Sequence, residues 1–227
     1  MNTFLRQTPY AILLAGASLV GLWWANFFFD HGIKHWQSRK IGHLIGGVSF
    51  LLCALLFSSV AWPLILTVGF TILLGGARIV APSTFRGTGG TGRATPAWSE
   101  VYFPLISIPI LGVGWGLFNL PLASVACILM MAWGDCLTGW VRALKYTKPT
   151  KGVEGSAVML ITCLVISWAF ITPFWLGAII AVVATASEFL AGDVSPVKFM
   201  RWMDDNWVIP IVSFAVLLIG LHTIGVL

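Results

Sequence analysis

The chain consists of long apolar stretches separated by four short segments that hold almost all of its charge. Of its 13 basic and 8 acidic residues, all but Arg6 lie in residues 30–42, 78–100, 135–154 and 188–205. The apolar stretches are roughly 20 residues long, the length that an α-helix needs to cross the hydrocarbon core of a bilayer. They do not alternate polar and apolar residues as the strands of a membrane barrel do. The pattern therefore predicts an all-α polytopic membrane protein.

The composition excludes a soluble globular domain. Hydrophobic residues make up 58% of the chain and charged residues only 9%, whereas a soluble domain carries about 25% charged residues. A single integral membrane domain is therefore expected over residues 1–227. The excess of basic residues is a topology signal that also suits phosphate and anionic lipid, and we expect no nucleic-acid partner. The four cysteines lack metal-ligand spacing and are expected to be buried thiols.

The hydropathy pattern predicts eight spans, at 9–29, 43–60, 62–80, 101–118, 121–143, 156–171, 173–190 and 207–226. Three connections between them are tight, uncharged turns, and the four charged segments, which include the long connections, carry every basic residue except Arg6. Eight spans put the four long connections on one side of the membrane, which is the cytoplasmic side by the positive-inside rule. Both termini are then outside, and the expected location is the plasma (inner) membrane of a prokaryote.

The strongest candidate site begins in the fifth span. Asp135 lies inside the cytoplasmic end of this apolar helix, where an ionisable side chain is costly and usually functional. Thr138 and Arg142 follow at helical offsets that place them on the same face as Asp135. The connection that comes next holds Lys145, Lys148, Lys151, Gly152, Glu154, Gly155 and Ser156.

This constellation suits a nucleoside triphosphate. The closely spaced basic residues can contact phosphate oxygens, and a carboxylate beside them suits the Mg²⁺ that accompanies a triphosphate. Gly152 and Gly155 allow backbone N–H groups to approach phosphates, and the start of the sixth span adds the positive end of its helix dipole. The alternative is a basic loop that only fixes topology, which explains the lysines but neither Asp135 nor the glycines.

The first charged segment offers a second set of phosphate ligands. Arg39 and Lys40 precede His43, which follows Arg39 by one helical turn on the same face. We expect the two cations to bind phosphate and the imidazole to be a proton or hydrogen-bond partner. An interfacial anchor belt is the alternative interpretation. A metal site of His31, His35 and His43 is disfavoured because no carboxylate partner is evident.

The second and fourth segments add further candidates. Residues 87–94 contain a G-x-G-x-x-G pattern, but no β-α-β unit can form around it, so a dinucleotide-binding fold is rejected. They can form a phosphate-covering loop or a plain linker. Glu100 stands where the fourth span begins, as a dipole partner or a site residue. The fourth segment adds Glu188, Asp204, Asp205 and Asn206. Its last three can cap the eighth span while one carboxylate faces a metal ion.

The candidate residues, taken in their order along the chain, resemble the pattern of the polyprenol kinase family. This family includes dolichol kinase, phytol and farnesol kinases and CTP-dependent diacylglycerol kinase. The resemblance covers residues 36–215. It rests on Arg39-Lys40 with His43, Glu100-Val101-Tyr102-Phe103-Pro104, Gly134-Asp135, Lys151 with Glu154-Gly155-Ser156, and Glu188 with Asp205-Asn206 and Pro210. The resemblance implies CTP as the phosphoryl donor, Mg²⁺ as the cofactor and a membrane-dissolved alcohol as the acceptor.

The leading hypothesis is therefore a lipid-alcohol kinase. In this hypothesis Asp135 holds Mg²⁺ together with Glu154 or Asp205. The phosphates are bound by Arg39, Lys40, Arg142, Lys148 and Lys151, beside Gly152, Gly155 and Ser156. The hydroxyl proton is taken by His43 or by a carboxylate, Asp135 or Glu154. The acceptor can be phytol, farnesol, geranylgeraniol, a polyprenol or diacylglycerol.

Two other functions are compatible with the sequence. A membrane cytidylyltransferase that makes a CDP-lipid from CTP and a lipid phosphate needs the same metal and triphosphate ligands. A transporter is disfavoured, because transporters place binding groups near the bilayer midplane, whereas the ionisable residues of this chain cluster towards one face.

Overall fold

The computed structural model describes residues 3–89, 98–148, 150–192 and 194–227. All regular secondary structure within these ranges is helical, and none of it is β-strand. Seven of the helices found there are long and apolar enough to cross a membrane. The predicted all-α class is therefore confirmed, and these seven helices support an integral membrane protein. The chain divides into two compact units, Met1–Leu117 (unit 1) and Phe118–Leu227 (unit 2).

Unit 1 contains four long helices. They are α1 (Thr3–Asp30), α2 (His35–Leu56), α3 (Ala61–Val80) and α4 (Ser99–Ile110), and α4 continues as a π-helical segment, Leu111–Leu117. Helix α1 packs against α2, and α3 packs against α4. After α1 the chain reverses at Gly32, whose φ of +100° lies in the left-handed region that glycine adopts without strain.

The two charged connections of unit 1 contact each other. Arg86 forms an ion pair with Asp30, with Nη2 at 2.7 Å from Oδ1. The ring Nε2 of His35 lies 2.8 Å from the carbonyl oxygen of Gly89. These contacts place the connection after α1 and the connection after α3 at the same end of unit 1, which agrees with an antiparallel order of apolar spans.

Unit 2 is built around one long helix. This long helix consists of α5 (Pro121–Leu129), a π-helical segment (Met130–Asp135) and α6 (Cys136–Lys145). The elements that follow it are α7 (Val153–Phe170), α8 (Phe174–Leu190), a 3₁₀ turn (Lys198–Trp202) and α9 (Asp205–Thr223). The long helix is 72% buried in its most apolar stretch, whereas the other six candidate spans are 17–44% buried. It therefore forms the core on which α7, α8 and α9 pack.

The number of spans is one point on which sequence and structure differ. The sequence predicts eight, and seven helices have the required length and hydropathy, while α8 is apolar over only 17 residues. All four cysteines, Cys53, Cys127, Cys136 and Cys163, are buried, as predicted.

Several helices begin earlier than predicted, and for two of them this changes where candidate residues lie. Helix α2 starts at His35 instead of residue 43, so Arg39, Lys40 and His43 all lie on a helix. Helix α7 starts at Val153 instead of residue 156, so Gly155 belongs to its first turn and not to a preceding loop. Hydropathy detects the part of a helix that can lie in hydrocarbon, and polar helical turns that extend beyond it carry no apolar signal.

Candidate functional site

The centre of the candidate site in unit 2 is Glu188, in the last turn of α8. Its carboxylate is only 1% exposed and accepts two hydrogen bonds from Arg142, at 2.6 Å to Oε1 and 3.0 Å to Oε2. Arg142 belongs to the last turn of α6 and is 13% exposed. The planar guanidinium thus meets the carboxylate with both of its terminal nitrogens, which is the strongest geometry for this pair.

Lys151 is a second cation on the same carboxylate. Its Nζ lies 2.6 Å from Oε1 of Glu188 and also donates to the backbone carbonyl oxygen of Glu188. The lysine side chain is 7% exposed. Two nearly buried cations therefore share one buried carboxylate, and the cluster of Arg142, Lys151 and Glu188 carries one net positive charge. An anion would balance that charge.

The cluster lies against the first turn of α7. A Cβ atom added to Gly155 would lie 2.3 Å from Nε of Arg142, so only glycine allows the guanidinium this close. That Nε is buried and has no hydrogen-bond partner among the described residues, and the same holds for Oγ of Ser156. The first backbone N–H groups of a helix also lack intrahelical partners. Two unsatisfied donors, Nε of Arg142 and Oγ of Ser156, therefore lie at the start of α7, where the positive end of a helix favours phosphate oxygens.

Asp135 and Thr138 lie on the long helix before Arg142. Asp135 is buried at the junction between the π-helical segment and α6. Thr138 is fully buried, and its Oγ1 donates to the carbonyl oxygen of Gly155 at 3.2 Å. This bond joins the helix face of Asp135 to the first turn of α7. π-Helical turns inside α-helices are frequent at functional sites.

Glu154 has a local role in the structure. Its Oε2 accepts a 2.6 Å hydrogen bond from the hydroxyl of Tyr146, and its Oε1 accepts from Nζ of Lys145. Because the phenol donates to this carboxylate, the pKa of Tyr146 is raised above its ordinary value. Gly152 makes the arrangement possible, since a Cβ at that position would lie 2.4 Å from the tyrosine oxygen.

The predicted Mg²⁺ ligands are Asp135, Glu154 and Asp205. Among the described residues, no group of three or more histidine, cysteine, aspartate or glutamate side chains is placed to hold a metal ion. Mg²⁺ that accompanies a nucleotide takes most of its ligands from phosphates and water, and needs one or two carboxylates from the protein. The buried carboxylate of Asp135 fits that need, and the three-residue ligand set stays a prediction.

The predicted cap of the last helix is confirmed. Asp204 is the N-cap of α9, and its Oδ1 accepts a 3.0 Å hydrogen bond from the backbone N–H of Asn206. Asn206 is completely buried. Asp205 lies in the first turn of α9, and its Oδ2 is 3.9 Å from the position that a Cβ atom on Gly192 would take.

Four further predicted residues, Arg39, Lys40, His43 and Glu100, belong to unit 1. Arg39, Lys40 and His43 lie in the first turns of α2, and the imidazole of His43 is buried 5.9 Å from the ring of Phe103. Glu100, in the first turn of α4, pairs with Arg78 at 2.6 Å, and both side chains are nearly buried.

For two further predicted features the structure gives no side-chain contact. Residues 90–94 of the glycine-rich segment are outside the described residues. Lys148 is described and is exposed.

Two partners were not predicted from the sequence: Arg78, the counterion of Glu100, and Tyr146, the donor to Glu154. Glu188 was predicted only as a further candidate. Glu188 carried a usable signal, because an ionisable residue inside an apolar helix is as unusual there as Asp135 is in its own helix. Tyr146 carried none, since a tyrosine after a basic helix end is ordinary.

The chain matches no protein-family model, no curated protein and no solved structure.

Proposed function

We propose that the protein is a lipid-alcohol kinase that transfers the γ-phosphoryl group of CTP to an alcohol dissolved in the membrane. The observation that carries the proposal is the buried cluster of Arg142, Lys151 and Glu188 beside the first turn of α7. It combines a net positive charge with unsatisfied donors at the end of an apolar helix bundle. The choice of CTP and of an isoprenoid acceptor follows from the resemblance in sequence.

The proposed topology has eight crossings, with α8 as the shortest. The four charged connections then face the cytoplasm of a prokaryote, and both termini are outside. Within each unit, charged connections lie at a common end: Asp30 pairs with Arg86 in unit 1, and Lys151 pairs with Glu188 in unit 2. This supports the proposed sidedness.

In the proposed reaction the alcohol oxygen attacks the γ-phosphorus of CTP. The bond between that phosphorus and the β–γ bridging oxygen breaks, and CDP leaves with the electron pair. The hydroxyl proton passes to a base, for which Asp135, Glu154 and His43 are the candidates. Transfer of this kind depends on positioning and on charge neutralisation. Arg142 and Lys151 would neutralise phosphate oxygens, and Mg²⁺ held by Asp135 would neutralise others.

The test uses purified full-length protein in detergent with γ-labelled CTP and a panel of lipid alcohols. Label recovered on the lipid supports the kinase. Label recovered in pyrophosphate, with a lipid phosphate as acceptor, supports a cytidylyltransferase and overturns the proposal. The same assay with ATP decides whether the donor is CTP.

Variants of single residues test which side chains phosphoryl transfer depends on. Asp135→Asn is expected to abolish transfer while the protein still inserts, and full activity in this variant would remove Asp135 from the mechanism. Lys151→Met is expected to lose transfer. Lys198→Met is its matched control, because Lys198 is an exposed lysine of the same unit, and this variant should keep full activity.

A further inference from the structure

The connection between α8 and α9 in unit 2 carries an exposed apolar patch. Phe199 and Trp202 are 67% and 64% exposed, and their rings meet edge to face with centroids 5.6 Å apart. Val194 and Val197 in the same connection are also exposed. Exposed apolar patches rimmed by polar residues mark contacts with a membrane or with another protein.

The patch lies on an ordered loop. The backbone N–H of Gly192 donates to the carbonyl oxygen of Met203 at 2.9 Å, so the loop is closed at its base. Inside it, the backbone N–H of Val197 donates to Oγ of Ser195 at 3.1 Å, and this hydroxyl donates to the carbonyl oxygen of Leu190. The aromatic rings are therefore presented by a fixed backbone, which lowers the entropy cost of binding.

The 3₁₀ turn of the loop separates aromatic from cationic side chains. Side chains three residues apart in a 3₁₀ helix lie on the same side of it. Lys198 and Arg201 therefore share one side of the turn, and Phe199 and Trp202 share the next. Met200 occupies the third side and is the one residue of the turn that is not exposed. Adjacent aromatic and cationic sides are typical of segments that lie in a membrane interface.

Both cations of the turn can accept an anionic partner. The exposed ammonium of Lys198 has no ion-pair or hydrogen-bond partner in the part of the chain that the structure describes. Nε of Arg201 donates to the carbonyl oxygen of Ser195 at 2.9 Å, which leaves the two terminal nitrogens for other acceptors. Residues 194–203 contain no acidic residue, so this stretch carries two positive charges.

The position of the loop favours a lipid surface as the partner. It joins the end of α8 at Leu190 to the start of α9 at Asp205, and α9 is long and apolar enough to cross a membrane. The loop therefore lies at the level where apolar helices leave the hydrocarbon and where tryptophan is enriched. A second copy of the chain fits less well, because a two-fold contact would bring the cations of one loop towards those of the other.

We propose that residues 194–203 form an interfacial loop that docks on the membrane and binds anionic phospholipid. Phe199 and Trp202 enter the boundary between head groups and acyl chains, and Lys198 and Arg201 bind the phosphates of anionic head groups. The loop seats unit 2 in the lipid, and this role is independent of the proposed kinase reaction.

The experiment measures hydrogen exchange of the interfacial loop by mass spectrometry. Purified full-length protein is placed, one copy per disc, in nanodiscs of phosphatidylcholine alone or of phosphatidylcholine and phosphatidylglycerol in equal amounts. Each cation near an anionic surface strengthens binding about fivefold, so exchange should be at least about tenfold slower with phosphatidylglycerol. High salt should remove this difference, because it screens exposed charges.

Charge variants test the contact with head groups. The double variant Lys198→Gln with Arg201→Gln should lose the difference between the two lipid compositions. Lys34→Gln is the matched control, because Lys34 is an exposed lysine of unit 1, and this variant should keep the difference. Arg201→Lys keeps the charge without the guanidinium bond to Ser195. It should also keep the difference, which a merely structural role of Arg201 would not allow.

Aromatic variants test the insertion into the interface. The double variant Phe199→Ser with Trp202→Ser should speed exchange of the loop in both lipid compositions, because the apolar contact is lost. Phe174→Ser is the matched control, since Phe174 is an exposed phenylalanine at the other end of α8, and it should leave exchange of the loop unchanged.

The outcomes are distinct from those of the kinase assay. Equal exchange of the loop in the two lipid compositions, or a difference that survives Lys198→Gln with Arg201→Gln, would overturn the proposal. Protection that requires two copies per disc would assign the patch to a second copy and would overturn it as well. Exchange is measured without nucleotide, and phosphoryl transfer is measured in detergent without phosphatidylglycerol. Failure of either proposal therefore leaves the other standing.

Discussion

Arg142 and Glu188 form a two-pronged ion pair, with Nη1 at 2.6 Å from Oε1 and Nη2 at 3.0 Å from Oε2. The pair joins the last turn of α6 to the last turn of α8. Lys151, just before α7, shares the same carboxylate. One buried glutamate therefore fixes the ends of two helices and the start of a third.

Removing the charge of Glu188 should destabilise unit 2. Glu188→Gln leaves Arg142 and Lys151 as nearly buried cations without a counterion, and breaking a buried pair in this way typically costs about 3–5 kcal/mol. We expect a loss of this size in the free energy of unfolding, measured by denaturant titration in detergent.

The matched control is Asp30→Asn, which removes an exposed ion pair. Asp30 and Arg86 are 34% and 55% exposed, and exposed pairs contribute about 0–1 kcal/mol. Equal losses of unfolding free energy in the two variants would show that the burial of Glu188 does not determine how much its ion pairs stabilise the fold.

Substitution of Gly155 should disturb the site through steric contact. In Gly155→Ala the new Cβ would lie 2.3 Å from Nε of Arg142, so the guanidinium must move. Overpacking of this kind costs about 1–3 kcal/mol, and transfer activity should fall with it. Gly69→Ala in α3 is the control, because its Cβ meets no atom within 4 Å. Alanine there should be neutral or stabilise by up to about 1 kcal/mol. Similar changes in stability and transfer activity in the two variants would contradict the close approach of the Arg142 guanidinium to Gly155.

The ionisation of Tyr146 should depend on Glu154. The hydrogen bond to this carboxylate raises the pKa of Tyr146, so Glu154→Gln should shift the pKa back towards its ordinary value. The measurement is a titration of tyrosinate absorbance, with Tyr146→Phe to identify the signal. Because the folded-state pKa is raised, the hydrogen bond stabilises the fold below about pH 10 and ceases to do so as pH rises through the folded-state value. An unchanged midpoint in Glu154→Gln would exclude this hydrogen bond.

Single-cysteine labelling should place the charged connections on one side of the membrane. The native cysteines are buried, so background labelling by a polar maleimide should be low. Lys34→Cys, Lys148→Cys and Lys198→Cys, all at exposed positions, should react only from the cytoplasmic side. Ser59→Cys, in the uncharged connection between α2 and α3, should react only from outside. Labelling of the three lysine positions from different sides would refute the topology.

Several elements could be predicted from the sequence because their signal is local. The apolar lengths indicate helices that cross a membrane, Pro121 marks the first position of α5, and Asp204 caps α9. Helices α2 and α7 begin earlier, at His35 and Val153, than hydropathy predicts, because polar first turns do not contribute to the apolar signal.

The class of protein, and the residues on which its chemistry can depend, follow from the order of amino acids alone. An apolar chain with its charges confined to four segments can satisfy its backbone only as membrane helices, and it leaves few ionisable groups as candidates. The ion-pair partners depend on how the helices pack: Arg142 and Lys151 pair with Glu188, and Arg78 pairs with Glu100. Those pairs join residues 22 to 46 positions apart. Hydropathy and spacing describe neighbours along one helix, whereas ion pairs between helices depend on how the helices pack.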